Sequence, residues 1–130
     1  MLLIDTDICS YAIRSQHGIA EKLLLAGTHS WAISMITSYE LLFGISLPGT
    51  ADRTVVGVKR FLEAASSLAF ESEAARAAAE VRAQLRKSGK SAGEYDVLIA
   101  GHAIALDATL VTNNTRHFEN VPGLKLENWL

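Results

Sequence analysis

The sequence predicts an α/β protein, a three-layer α/β/α sandwich around a central, mainly parallel sheet. Three observations point there. Short apolar runs alternate with helical patterns along the whole chain. Strands that alternate with helices form parallel sheets covered on both faces. With 130 residues and no internal repeat, linker or low-complexity tract, the chain has the size and uniformity of a single domain, residues 1–130.

The elements follow in order. LLID reads as a short buried strand and ICSYAIR as the helix after it. HGIAEKLLLAG is a second helix that stops at Gly27. HSWAISM is a strand. Thr37, Ser38, Tyr39 and Glu40 have the form of a capping box, which would open the helix YELLFGIS. ADRTVVGVKRFLEAASS is amphipathic, with Val55, Val58, Phe61 and Leu62 at helical spacing. SLAFES is a strand. SEAARAAAEVRAQLRKSGK is rich in strong helix formers. EYDVLIAGHAIALDA is a further helix, TLVT a strand and LKLENW a final edge strand.

Composition narrows the class. Hydrophobic residues make up 49% and charged residues 20%, a globular balance, and the formal net charge of −2 gives no general basic field for nucleic acid. The single cysteine, Cys9, cannot form an internal disulfide, which favours a reducing, cytoplasmic setting. The N-terminus reaches Asp5 too soon for a signal peptide, and no apolar run approaches the ~18 residues of a membrane span.

In parallel α/β sheets, function gathers at the carboxyl ends of the strands. Asp5 ends the first strand, Glu40 begins the helix after the second, Asp96 begins the helix before TLVT, and Asn113 and Asn114 follow TLVT directly. The fold would bring these distant positions to one edge. Carboxylate and amide oxygens are hard donors that suit Mg²⁺ or Mn²⁺. Each position also has a plain alternative. Asp5, Asp7 or Asp96 can serve a helix N-terminus, Glu40 can close a capping box, and Asn114 can be a turn residue. Convergence of all four is what favours the functional reading.

LLIDTDICSYAIR, ISMITSYELLFGI and AGEYDVLIAGHAIALDATLVTNNTRHFENVPGLKLENW resemble, in that order, the PIN-domain ribonuclease toxins of bacterial toxin–antitoxin pairs, the VapC type. The likeness runs from Met1 to Trp129. It implies an endoribonuclease dependent on Mg²⁺, with Mn²⁺ able to substitute. Three acids of the family pattern fall on Asp5, Glu40 and Asp96, the implied metal ligands, with Glu40 alternatively a general base on the attacking water. The fourth falls on Asn114, which would orient a water, and Thr112 matches a polar residue lining the site. With Asn114 in place of a fourth acid, one firm metal site is expected. His117 departs from the pattern, which often has an acid there, and Asp7 and Glu119 lie nearby without an assigned role.

RNA contacts are expected from Thr112 and Arg116 at the TNN loop and from Arg82, Arg86 and Lys90, the last three sharing one helix face by i, i+4 spacing. The plain alternative is a solvated helix end whose cations complement the dipole. No aromatic-rich stacking surface is evident, so an unpaired base run is not indicated, whereas a structured RNA is compatible; the NNTRxFExVxGL ending resembles a branch of the family that acts on transfer RNA. The resemblance also implies a cognate VapB-type antitoxin and a homodimer. Tyr11, Tyr39, Leu42, Phe43 and the turn from Leu47 to Gly49 would offer the antitoxin an apolar groove. Three rivals remain: a phosphatase of the haloacid dehalogenase class, whose DxD motif Asp5-Thr6-Asp7 would supply, a receiver domain, and a non-catalytic binding module. The first lacks its later paired acids and the second its mid-chain Asp and late Lys.

Overall fold

The computed structural model describes residues 1–130. Five strands form one sheet: β1 (Leu2–Ile4), β2 (Trp31–Ser34), β3 (Ser67–Leu68), β4 (Thr109–Val111) and β5 (Lys125–Glu127). Their spatial order is β3-β2-β1-β4-β5, and every pairing is parallel. Seven helices surround it: α1 (Thr6–Ile13), α2 (Ile19–Ala26), α3 (Met35–Ser46), α4 (Asp52–Ala64), α5 (Ser72–Lys87), α6 (Glu94–Ala105) and α7 (Thr115–Phe118).

The first strand is the middle one. Leu2 pairs with Trp31 on one side and Thr109 on the other. Successive strand residues face opposite ways, and the core divides accordingly. Leu3 and Leu110 pack with Ala78, Val81, Leu85, Ile99 and Ala100 of α5 and α6. Ile4 and Val111 pack with Ile8 and Cys9 of α1, Ile33, Leu41 and Val58 on the other face. This gives the three layers. Leu3, Ile4, Leu110 and Val111 are all fully buried, each burial contributing roughly 1.5–3 kcal/mol. The two strands that end at Asp5 and Thr112 are thus anchored on both faces.

The structure shifts several boundaries. The capping box at Thr37–Glu40 does not form. Helix α3 starts at Met35, because the Ser34 hydroxyl accepts a hydrogen bond from the Ile36 N–H at 3.1 Å and caps the helix three residues earlier. SLAFES contributes only Ser67 and Leu68 to the sheet. Helix α5 ends at Lys87: the Gly89 N–H donates to the Arg86 carbonyl and the Lys90 N–H to the Leu85 carbonyl, with Gly89 at φ 67°. That pair of bonds is a Schellman closure, in which glycine takes the left-handed position. Helix α7, read from sequence only as the loop after TLVT, is a single turn. No helix is long and apolar enough to cross a membrane.

Helices α5 and α6 fold back on one another across residues 88–93 and touch closely at Gly101. A Cβ there would overlap the backbone of Ala78. Gly101→Ala is therefore expected to force the helices apart and to cost about 1–3 kcal/mol. A urea midpoint unchanged from wild type would show that the crossing tolerates the added methyl.

Candidate active site

Asp5 is the junction between β1 and α1. Its N–H donates to the Val111 carbonyl at 2.9 Å, extending the β1–β4 ladder. Its side chain leaves the strand end among other acids and is almost entirely buried. Oδ1 accepts from the Thr6 N–H and Oδ2 from the Thr112 hydroxyl, both at 2.8 Å. An ordinary N-cap bonds the second or third N–H of its helix; Asp5 meets only the first, so capping does not account for it. Burial, and next the charge of Asp7, push its carboxyl up from 3.8 to about 7 against those hydrogen bonds.

Asp7 lies in the first turn of α1 and ties that turn to the loop after β4. It accepts from the Ile8 N–H at 2.7 Å and the Asn113 N–H at 3.0 Å. Burial raises its carboxyl, while these bonds hold it down. Glu40, in the second turn of α3, receives the Thr6 hydroxyl at 2.7 Å, and that hydroxyl also lies 3.1 Å from Thr37 Oγ1. Partial burial raises the Glu40 carboxyl, the Thr6 hydroxyl lowers it, and the charges of Asp96 and Asp7 raise it again. Asp96, in the first turn of α6, holds His117 Nδ1 at 3.0 Å through Oδ2.

Asp5, Glu40 and Asp96 therefore share one electrostatic neighbourhood, with Asp7 among them. None of the four meets a lysine or arginine; the one basic side chain in reach is His117, hydrogen-bonded to Asp96. The remaining expected site residues stand differently. Thr112, grouped from sequence with the RNA contacts, is fully buried. It donates to Asp5 and accepts from the Asn114 N–H at 3.1 Å, so it positions Asp5 instead of meeting RNA. Asn114 is exposed, and its side chain forms no hydrogen bond with the acids. Arg116 is exposed and shares a recess with Asn113, Asn114, Thr115 and His117. Arg82 and Arg86 are exposed on α5, but Lys90 lies past the helix end, which breaks the expected three-cation stripe.

The sequence reading missed other members. Thr6 bridges Asp5 to Glu40. The Ser34 hydroxyl lies 2.8 Å from Nδ1 of buried His102 on α6, joining the start of α3 to the helix that carries Asp96. Burial lowers the His102 imidazole, and Phe70 meets its ring edge to face at 5.4 Å. Tyr39 and Tyr95, each one residue before an acid, have hydroxyls 3.1 Å apart and ring centroids 5.4 Å apart. Spacing along one chain reveals none of these pairings, because every partner is far away in sequence.

The model of the PIN domain family matches residues 2–124. The tRNA(fMet)-specific endonuclease VapC of Salmonella typhimurium is 32% identical over 127 residues, covering 98% of this chain and 96% of that protein. Ribonuclease VapC2 of Rickettsia felis is 38% identical over 131 residues, covering 98% of this chain and 96% of the relative. The chain belongs to the VapC family of PIN-domain ribonucleases. Among solved structures, DNA-bound VapBC from Salmonella typhimurium contains a chain that superposes with TM-score 0.92 at 34% identity, covering 99% of this chain and 98% of that one. VapBC2 from Rickettsia felis bound to a promoter DNA fragment gives 0.90 at 35%, with the same coverage. These likenesses bear out the expected VapC-type resemblance and the α/β/α architecture.

A divalent ion is compatible with this VapC-family site, in an open form. No three acidic, histidine or cysteine side chains form a closed metal-binding group, so the expected ligands Asp5, Asp96 and Glu40 would leave much of an ion's shell to water. Asp5 is held by Thr6 and Thr112, Glu40 by Thr6, and Asp96 by His117. Mg²⁺ keeps several waters and needs only one or two protein carboxylates. Hard oxygen donors that repel one another and have no arginine or lysine partner fit such an ion.

The electrostatics fix a pH dependence. The Asp5 carboxyl titrates at about 7 folded and near 3.8 when solvated. The folded state binds that proton more tightly, so in EDTA the stability it provides is full below about pH 4 and lost as pH rises towards 7. Thermal melts in EDTA should therefore fall over this range. Added Mg²⁺ at pH 8 should raise the wild-type midpoint and leave that of Asp5→Asn unmoved. Equal Mg²⁺ shifts in both proteins would show that the ion does not engage Asp5.

Proposed function

We propose that this protein is an endoribonuclease toxin that hydrolyses RNA phosphodiester bonds at the edge formed by Asp5, Glu40 and Asp96, with Mg²⁺ as cofactor and Mn²⁺ able to replace it. The observation that carries this reading is the gathering of three acids from separate elements with no lysine or arginine to neutralise them. Structural acids are normally paired or capping; acids left in mutual repulsion suit a cation brought by the reaction.

Asp5 and Asp96 hold the ion in this reading. A bound Mg²⁺ supplies charge neutralisation at the phosphate and makes water a better nucleophile. Glu40 has one oxygen fixed by Thr6, which leaves the other to take the proton of the attacking water. Its raised affinity for a proton suits a general base better than an exposed carboxylate would. Thr112 and Thr6 fix the orientation of Asp5, and Asp7 holds the loop that carries Asn113 and Asn114 against the site. Asn114 and Arg116 sit on that loop, where an amide orients water or ribose and a guanidinium meets phosphate. Arg82 and Arg86 extend the cationic path along α5. Transfer RNA is the substrate class, in keeping with the relative named for it.

A cognate VapB-type antitoxin is the protein partner, with homodimerisation alongside. Met35, Tyr39, Leu42 and Phe43 form an exposed apolar groove along α3, which suits an amphipathic segment. Tyr11, expected in that groove, packs edge to face on His17 instead. The phosphatase alternative fits poorly: both oxygens of Asp5 accept hydrogen bonds, from the Thr6 N–H and the Thr112 hydroxyl, and β4 is followed by Asn113 and Asn114 instead of paired acids.

Cleavage of purified small RNA by wild type, Asp5→Asn and Asp96→Asn tests the reading in Mg²⁺, in Mn²⁺ and in excess EDTA. Discrete products that need the metal, and a loss of at least about 10²-fold in either variant, are expected. Equal cleavage by wild type and variants would refute the assignment of the site.

A further inference from the structure

The pair Tyr39–Tyr95 stands immediately beside the acids yet takes no part in holding them. Tyr39 precedes Glu40 on α3, and Tyr95 precedes Asp96 on α6. Their hydroxyls are 3.1 Å apart, and their rings are tilted at 54°. Tyr39 is 50% exposed and Tyr95 39%, although an aromatic pair is normally buried. The hydrogen bond fixes both rings without covering them. Glu40 and Glu94 lie near enough to act on the Tyr95 hydroxyl. The surroundings are thus anionic. A phosphate would be repelled there, whereas an uncharged ring would not.

We propose that Tyr39 and Tyr95 form a stacking platform for the unpaired base of a nucleotide next to the phosphate that is cut. This rests on the ribonuclease reading and narrows its substrate: the RNA must present a base free to leave its stack, as in a loop or bulge. Single-stranded RNA is recognised in this way on tyrosine faces, and stacking tolerates any base. This departs from the expectation that no stacking surface is present, an expectation that arose because the two tyrosines are 56 positions apart in the chain.

A protein segment in the α3 groove is the competing occupant, and the geometry separates the two. The groove is lined by Met35, Ser38, Tyr39, Leu42, Phe43 and Ser46, without Tyr95. A helix lying there meets one member of the pair. A base held beside Glu40 and Asp96 meets both.

The test uses two probes on the full chain: total transfer RNA with Mg²⁺ for cleavage, and a short oligoribonucleotide carrying one 2-aminopurine, with Ca²⁺ replacing Mg²⁺, for stacking. Tyr39→Leu and Tyr95→Leu should each lower kcat/KM by roughly 5- to 150-fold, the span of about 1–3 kcal/mol per stacked base. The loss should lie mainly in KM. Both should abolish the fluorescence quenching that wild type produces, and Tyr95→Phe, which keeps the ring, should restore most of what Tyr95→Leu removes. Cleavage and quenching by Tyr95→Leu equal to wild type would overturn the proposal. So would leucine variants that cut RNA normally but no longer co-purify with co-expressed antitoxin, which would assign the pair to a protein contact. Wild type that quenches the probe but shows no metal-dependent cleavage would fail the ribonuclease reading and leave the platform standing.

Discussion

Asp5 is tied twice to the end of strand β4, once through its backbone to Val111 and once through its carboxylate to Thr112. These two bonds join Asp5 to residues 106 and 107 positions further on and decide where the site lies. They hold β1 and β4 in register at their carboxyl ends, where the sheet leaves room between α1 and the loop before α7. Everything else at the site is referred to that point. Thr6 follows Asp5 and reaches across to Glu40. Asp7 follows Thr6 and reaches the backbone of Asn113. Three consecutive residues thus fasten two distant parts of the chain, the end of β4 and helix α3, to one point.

The anchoring has an energetic logic. An unpaired buried carboxylate opposes folding, and this one is followed closely by a second. The apolar residues that precede it, Leu3 and Ile4, are completely buried on opposite faces, as are Leu110 and Val111 beside them. Fully buried packing therefore sits directly behind the acids. A site placed at the edge strands, where β3 has only two residues, would have no comparable support. Marginal stability leaves little room for such strain elsewhere, and it is found here, where the fold can bear it.

Much of this was legible in the sequence, and the reasons are specific. LLID, HSWAISM and TLVT pointed to three strands because fully buried parallel strands are short apolar runs between helices. SEAARAAAEVRAQLRK gave α5 because its residues favour helix wherever they are placed. Asp5, Glu40 and Asp96 stood out because the carboxyl ends of strands are where such folds keep their chemistry. What escaped notice depended on long-range contact or on local competition. Ser34 and Thr37 both suit a cap, and only the end of β2 decides between them. Thr112 looks like a substrate contact until the β1–β4 pairing buries it. The Ser34–His102 and Tyr39–Tyr95 pairs, and the turn of α7, leave no periodic trace.

The strand order has a consequence for how the molecule comes into being. The central strand is made first, and one of its two neighbours, β4, is made almost last. A nascent chain that has passed Asp96 already contains every acid of the site, yet lacks the strand to which Asp5 is fastened. Loop closure over so long a span is slow compared with local helix formation. An unfinished copy therefore holds the acids but lacks Thr112, Asn114 and Arg116 and the strand that fixes Asp5. In a VapC-family ribonuclease built this way, the site is assembled only once β4 has been made and has paired with β1.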